Sequence, residues 1–277
     1  MRVDTTAGAG AFRPGTQGRK AIRAGARAGL AARGVVYALL GVLALRVAFD
    51  GSSEQADRGG AVARLAAQPF GGFLVWALAA GFAGMTLWRL SEAAFGAAGP
   101  DGHTAGKRLM SAARAVFYAF VTYSVAAFAV DGSSGGGSSD AASKDVTARV
   151  LHWPMGRWLV GAAGLALAGA GVWIAVRALL RRFRKHLRTG AMSPRVRKAV
   201  DFLGVAGGAS RGVVFTAAGC FVVVAAVRFD PDRAKGLDDT LRTFRDAPAG
   251  PWLLASIAAG LALFGVFSWA MARWRRV

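Results

Sequence analysis

Six stretches of roughly 16–21 residues run almost without charge through this chain. Each is about long enough to cross a hydrocarbon core ~30 Å thick at 1.5 Å rise per residue. Backbone groups in lipid have no partners but each other, so these runs must be helices. The predicted helices cover 33–49, 71–90, 113–130, 157–178, 210–228 and 251–272. The fold class that follows is all-α integral membrane, with six transmembrane helices accounting for nearly the whole chain.

The six runs fall into three copies of one two-helix unit. The first helix of each copy opens on an arginine followed by an apolar run: Arg33-Gly34-Val35-Val36-Tyr37, Arg114-Ala115-Val116-Phe117-Tyr118 and Arg211-Gly212-Val213-Val214-Phe215. Each run reaches an aspartate, Asp50, Asp131 or Asp230, at separations of 17, 17 and 19 residues. A polar loop then closes on Pro-x-Gly: Pro69-Phe70-Gly71, Pro154-Met155-Gly156 and Pro248-Ala249-Gly250. The second helix carries Gly-x-x-x-Trp, from Gly84 to Trp88, Gly169 to Trp173 and Gly265 to Trp269. Recurrence argues against reading the first segment as a cleaved signal peptide, although a basic lead precedes it. The division predicted is a basic tail at 1–23, probing solvent without a fold, then repeat 1 at 24–92, repeat 2 at 105–180, a basic linker at 181–199 and repeat 3 at 200–277.

The opening Arg-Gly-Val-Val-Tyr, the phrase Gln68-Pro69-Phe70-Gly71 and Leu87-Trp88-Arg89 resemble the bacterial membrane family called domain of unknown function 1206. The resemblance covers about 24–274. Copy two departs with Ala115 in place of glycine, and copy three has Ala-Pro-Ala-Gly. It implies tandem two-helix repeats and assigns no activity.

Charge orients the chain. The net charge is +20, from 35 Lys and Arg against 15 Asp and Glu. The termini and the loops 89–114 and 177–211 hold 24 basic and 4 acidic residues, while the three remaining loops and their flanks hold 11 of each. Basic residues near helix ends stay cytoplasmic, so both termini are predicted inside a bacterial inner membrane. All three copies then point the same way, as parallel repeats. One-sided placement, with 29 Arg to 6 Lys and no Asn, argues against nucleic acid as the partner. The expected partner is the bilayer, with Arg181, Arg182, Arg184, Lys185 and Arg188 as contacts for anionic lipid at the cytoplasmic face or simply as a topology anchor.

No cofactor or metal is expected: Cys220 is single, and His103, His152 and His186 fall in three different loops. No catalytic constellation is legible. Residues 61–67, 146–152 and 237–244 read as short helices lying on the outer surface, and the small residues Gly161, Gly164, Ala168 and Gly171 as a packing face. Gly84, Gly169 and Gly265 are all expected to face helices.

The candidate interface or pathway residues are the repeated ones. Arg33, Arg114 and Arg211 each have an aromatic ring four positions on, Tyr37, Tyr118 and Phe215, which shares their helix face. Trp88, Trp173 and Trp269 fall at the same depth, and Asp50, Asp131 and Asp230 at the opposite ends. Copies in one orientation can close a ring about an axis along the membrane normal. Like charges repel in low dielectric, and only Glu92 is near, so the three arginines are expected to snorkel outward to headgroups. Three functional readings stand in this order: a non-catalytic scaffold or accessory subunit, a small channel or transporter for an anion, and a lipid-active enzyme.

Overall fold

Every predicted run is a helix, and most extend well beyond the run itself. A computed structural model describes residues 16–50, 56–96, 104–131 and 139–275. In chain order these form α1 (Thr16–Asp50), α2 (Arg58–Ala66), α3 (Gly71–Phe95), α4 (Ala105–Asp131), α5 (Ser139–Leu151), α6 (Gly156–Leu179), α7 (Pro194–Arg228), α8 (Leu237–Arg245) and α9 (Gly250–Trp274). The six long ones are apolar enough to span a membrane. The predicted basic tail overlaps α1 from Thr16 onward; residues 1–15 lie outside the described residues.

The starts of α1 and α7 correct the predicted boundaries. Both helices have 35 residues, about 52 Å at 1.5 Å per residue. An apolar-run criterion stops at the first charge, but the helix does not. In α1, Ala26 and Leu30 are fully buried while Arg23 and Arg27 are exposed, a spacing of four that keeps one face in the core. Ser193 caps α7, accepting from the Val196 amide, with Pro194 in the first turn where its missing N–H is harmless. Arg33 and Arg211 therefore stand 17 residues inside their helices and not at the boundary.

The Pro-x-Gly corner has one geometry in all three copies. Its middle residue is left-handed, with φ of 61° at Phe70, 63° at Met155 and 56° at Ala249. The following glycine abuts a backbone carbonyl of the short helix before it, that of Ala66, Val150 or Arg245. A Cβ there would overlap that carbonyl, so only glycine fits.

Between copies, α3 packs on α4, α6 on α7, and α9 returns to α1. The second helix of each copy thus lies on the first helix of the next, in cyclic order. Small residues carry two of these contacts. A Cβ on Gly265 would come within 2.8 Å of Ala38, and one on Gly164 within 2.8 Å of Val223. Gly161, Gly164, Ala168 and Gly171 of α6 all meet α7, as their spacing predicts, and Ala175 joins them.

Within copies the packing is unequal. α1 packs on α3 and α7 on α9, whereas α4 and α6 barely meet. The sequence explains the difference once the copies are aligned on their arginines. Four positions before the arginine stand Gly29, Met110 and Gly207; five before stand Ala28, Leu109 and Ala206. Gly29 lies on Gly81 and Met85 of α3, and Gly207 on Phe264 of α9, with no room for a side chain. In the second copy Leu109 and Met110 occupy those positions and are 73% and 54% exposed. Two bulky side chains hold α4 off α6.

Gly169 corrects its expectation. Gly84 meets Gly25 and Gly265 meets Gly34, but nothing lies within 4 Å of a Cβ on Gly169. α6 turns its other small face to α7, which leaves Gly169 and Trp173 exposed.

The short helices are present, but α2 and α8 do not lie on the surface. Ala56, Asp57, Ala61 and Val62 are buried, as are Asp238, Thr240 and Leu241. The Ala56 amide donates to Asp238 Oδ1 at 2.8 Å, and Asp57 caps α2 through the Gly60 amide. The two N-termini meet inside the bundle. Their apolar residues are too few to float on water and enough to plug the end of a core.

Candidate functional site

The repeated arginine and its aromatic partner line the site in the first and third copies, and the aromatic alone in the second. A cavity of about 350 Å³ lies between the first helices of the three copies. Arg33 and Tyr37 of α1, Tyr118 of α4, and Arg211 and Phe215 of α7 all line it. The middle is apolar, with Val36, Leu40, Val121, Val214 and Leu261 among its walls. At the far end Arg58 of α2 and Lys235, just before α8, enter from the loops. Lys235 reaches the ring of Phe221 at 4.7 Å, seven residues and about 10 Å below the end of α7.

The expectation of three outward arginines is corrected for two of them. Arg33 and Arg211 face inward, 5.3 and 5.1 Å from the ring centroid of Phe264. Arg211 also stands 5.6 Å from Tyr37 and 5.2 Å from Phe215. Aromatic faces stabilise a desolvated cation where a carboxylate is missing. Arg33 Nε donates to the fully buried Ser268 Oγ at 3.2 Å. What stands beside the side chain decides this: Phe264 and Ser268 of α9 receive Arg33 inside the bundle. Arg114 starts only nine residues into α4 and is exposed, as the outward expectation has it.

Five guanidinium groups have a buried nitrogen without a hydrogen-bond partner among the described residues: Arg33 Nη2, Arg58 Nη1, Arg89 Nε, Arg211 Nε and Arg275 Nε. No aspartate or glutamate among the described residues lines the cavity. The acids nearby are engaged: Asp238 receives the Ala56 amide and Arg242, and Asp57 caps α2. Burial lowers the affinity of Arg58 for its proton, against the pull of Asp57.

A second cationic layer closes the basic end. Trp88 is buried between two guanidinium groups, Arg89 at 4.2 Å and Arg275 at 4.6 Å. Arg89 pairs with Glu92 at 2.6 Å. Arg275 is held there by a bridge to Leu187 and by the Arg188 amide, which donates to the Trp274 carbonyl at 2.9 Å. Burial first, and then Arg89 and Arg33, hold Arg275 down to about 9.

The other sequence candidates divide. Trp269 Nε1 donates to the Ala31 carbonyl at 3.0 Å, joining α9 to α1. Trp173 is 55% exposed, with Arg177 over it. Asp230 is a helix-end residue that pairs with Arg233 at 2.9 Å. The side chains of Asp50 and Asp131, and His103, lie outside the described residues. Arg181, Arg182, Arg184, Lys185 and Arg188 are all exposed, and Arg184 grips Asp201 with both of its donors. That ion pair keeps Arg184 protonated more firmly than usual. The linker is also anchored by Phe183, which covers Gly204 and meets Phe267 at 5.0 Å.

Sequence reasoning missed Arg58, Lys235, Arg89, Arg275, Phe264 and Ser268. None of these recurs in the other copies at the aligned position with the same chemistry, so a search for repeats passes over them. A usable signal was Ser268, which with Ser256 is one of two hydroxyls in the apolar 251–272 run.

This geometry defines the class: a multi-pass membrane protein of three tandem two-helix units around a chamber lined by cations and aromatic rings. The chain belongs to the family described as Domain of Unknown Function (DUF1206), which matches residues 28–96, 109–181 and 206–275, once per unit. A Bacillus subtilis (strain 168) protein named Uncharacterized protein YxxB is 29% identical over 243 residues, covering 87% of each chain. No solved structure matches.

Proposed function

We propose that this protein takes an anion into the chamber between its copies, as a small channel or transporter of the bacterial inner membrane with both termini cytoplasmic. The three copies are arranged about an approximate three-fold axis, from which the second departs at the α4–α6 gap. One observation carries the reading: among the described residues, buried guanidinium nitrogens without partners line or flank a cavity to which no carboxylate contributes. Burying an uncompensated cation costs several kcal/mol even after relaxation. A methionine of similar length would avoid that cost. An anion seated between Arg33 and Arg211 removes it by supplying charge-assisted acceptors. A passive scaffold gives no reason to keep these cations, so the chamber favours the channel or transporter reading over the scaffold. The exposed cations of 181–188 are suited to anionic headgroups on the cytoplasmic face.

The test is thermal unfolding of the purified full chain in a neutral detergent at constant ionic strength. Acetate, phosphate and dodecanoate are titrated separately. At least one is expected to raise the melting temperature saturably in the wild type and not in the Arg33→Met/Arg211→Met double variant. No saturable shift with any of the three overturns the reading.

A further inference from the structure

We infer that the anion is an amphiphile with a single hydrocarbon chain, admitted sideways from the bilayer between α4 and α6. This rests on the anion reading above and narrows it. The opening is where the wall is missing: α4 and α6 barely meet because Leu109 and Met110 stand where the other copies have Ala-Gly. The cavity reaches that side. Phe117 of α4 lines it and is 56% exposed, and Leu167 of α6 lines it across the gap. A ring that faces both the chamber and the lipid marks a path between them.

The chamber's chemistry selects the occupant. Its cations sit toward the ends, and the walls between are Val, Leu, Phe and Tyr. A small hydrated anion would lose its water there and gain little along most of the wall. A hydrocarbon chain loses nothing on such a wall, because it is already out of water in the bilayer. Its carboxylate or phosphate head meets the unpartnered Nη2 of Arg33 and Nε of Arg211. Size sets the number of chains. An apolar cavity of ~150 Å³ holds one benzene, so about 350 Å³ holds roughly a dozen carbons, one chain and not two. The remainder of a longer chain can trail through the gap into lipid.

The experiment measures equilibrium binding of radiolabelled dodecanoate to the full chain in a neutral detergent. Competitors are acetate (head without chain), inorganic phosphate, dodecanol (chain without charge), dodecyl phosphate and a graded series of carboxylates. Saturable binding is expected, displaced by chain-bearing anions only. Dodecanoate and dodecyl phosphate, by their relative potency, distinguish a carboxylate from a phosphate source. Affinity should rise with chain length and level off at about a dozen carbons, where the cavity is full. Arg33→Met and Arg211→Met should each weaken binding about tenfold or more, the equivalent of one charge-assisted hydrogen bond. In vesicles, Leu109→Ala/Met110→Gly should let α4 close on α6 and slow uptake from the bilayer, while Phe117→Ala should speed it. Either variant suffices if the other fails to fold.

Displacement by acetate or phosphate as effective as by dodecanoate overturns this inference and leaves the anion reading standing. So does absence of dodecanoate binding when phosphate still stabilises the protein. Displacement by dodecanol as effective as by dodecanoate overturns both. Unchanged uptake in both gap variants overturns the lateral route.

Discussion

Replacing Arg33 with methionine should stabilise the anion-free protein, against the usual direction of a buried substitution. Four contributions decide the sign. Arg33 loses its hydrogen bond to Ser268, which for a charged donor contributes ~1.5–3 kcal/mol. It loses the contact with Phe264, ~0.5–2 kcal/mol, although Arg211 shares that ring. On the other side, the desolvation penalty of several kcal/mol disappears. Repulsion from Arg211 disappears too: sharing one ring at 5.3 and 5.1 Å, the two charges are at most about 10 Å apart, which makes this at least ~1.6 kcal/mol at an effective dielectric of 20. Methionine keeps the volume and adapts to the space. The balance favours Arg33→Met by about 1–3 kcal/mol, the range seen when buried charges give way to apolar residues. Chemical unfolding in detergent at low anion concentration measures it. A double-mutant cycle with Arg211→Met should show coupling of about 1–2 kcal/mol, because relief of one charge leaves less to relieve at the other. Destabilisation by more than about 1 kcal/mol would refute the reasoning and make Arg33 a compensated structural cation.

Gly84→Leu should lower the melting temperature sharply, because its Cβ would come within 2.8 Å of the Gly25 backbone, whereas Gly169→Leu should leave it unchanged. Arg275 has a folded value of about 9, well below the ordinary arginine range. The unfolded chain therefore binds more protons between the two, and stability should rise as pH climbs through 9, an increase that Arg275→Met flattens in pH-dependent melting. Reporter fusions at Gly135 and at Val277 should report opposite sides of the membrane, with Val277 cytoplasmic; an outside C-terminus breaks the even helix count as well as the charge argument.

Some of this molecule follows from the sequence alone. Lipid forces apolar runs into helices, and an even count per copy forces the copies parallel. Periodic landmarks report local geometry faithfully. The Pro-x-Gly corner, with its left-handed middle residue, is one such case, because its cause lies within six residues of chain. The small faces of α6 are another, since spacing along one helix determines which side they share. The single asymmetry that opens the bundle was also present as Leu109-Met110 against two Ala-Gly pairs. Its meaning needed the partner helices that Gly29 and Gly207 touch.

Tertiary structure decided the rest. Whether an arginine snorkels or points inward depends on how deep it lies and what stands beside it. For Arg33 the inward choice rests on Phe264 and Ser268, which arrive from more than 200 residues later in the chain. Three residues alike in sequence thus met different fates: Arg33 and Arg211 inside, Arg114 out. Arg58 and Lys235 join the chamber, and Arg89 and Arg275 form the layer at its basic end, by packing that no local pattern encodes. A chamber is made by side chains from many elements converging in space, and convergence is a property of packing rather than of spacing along the chain.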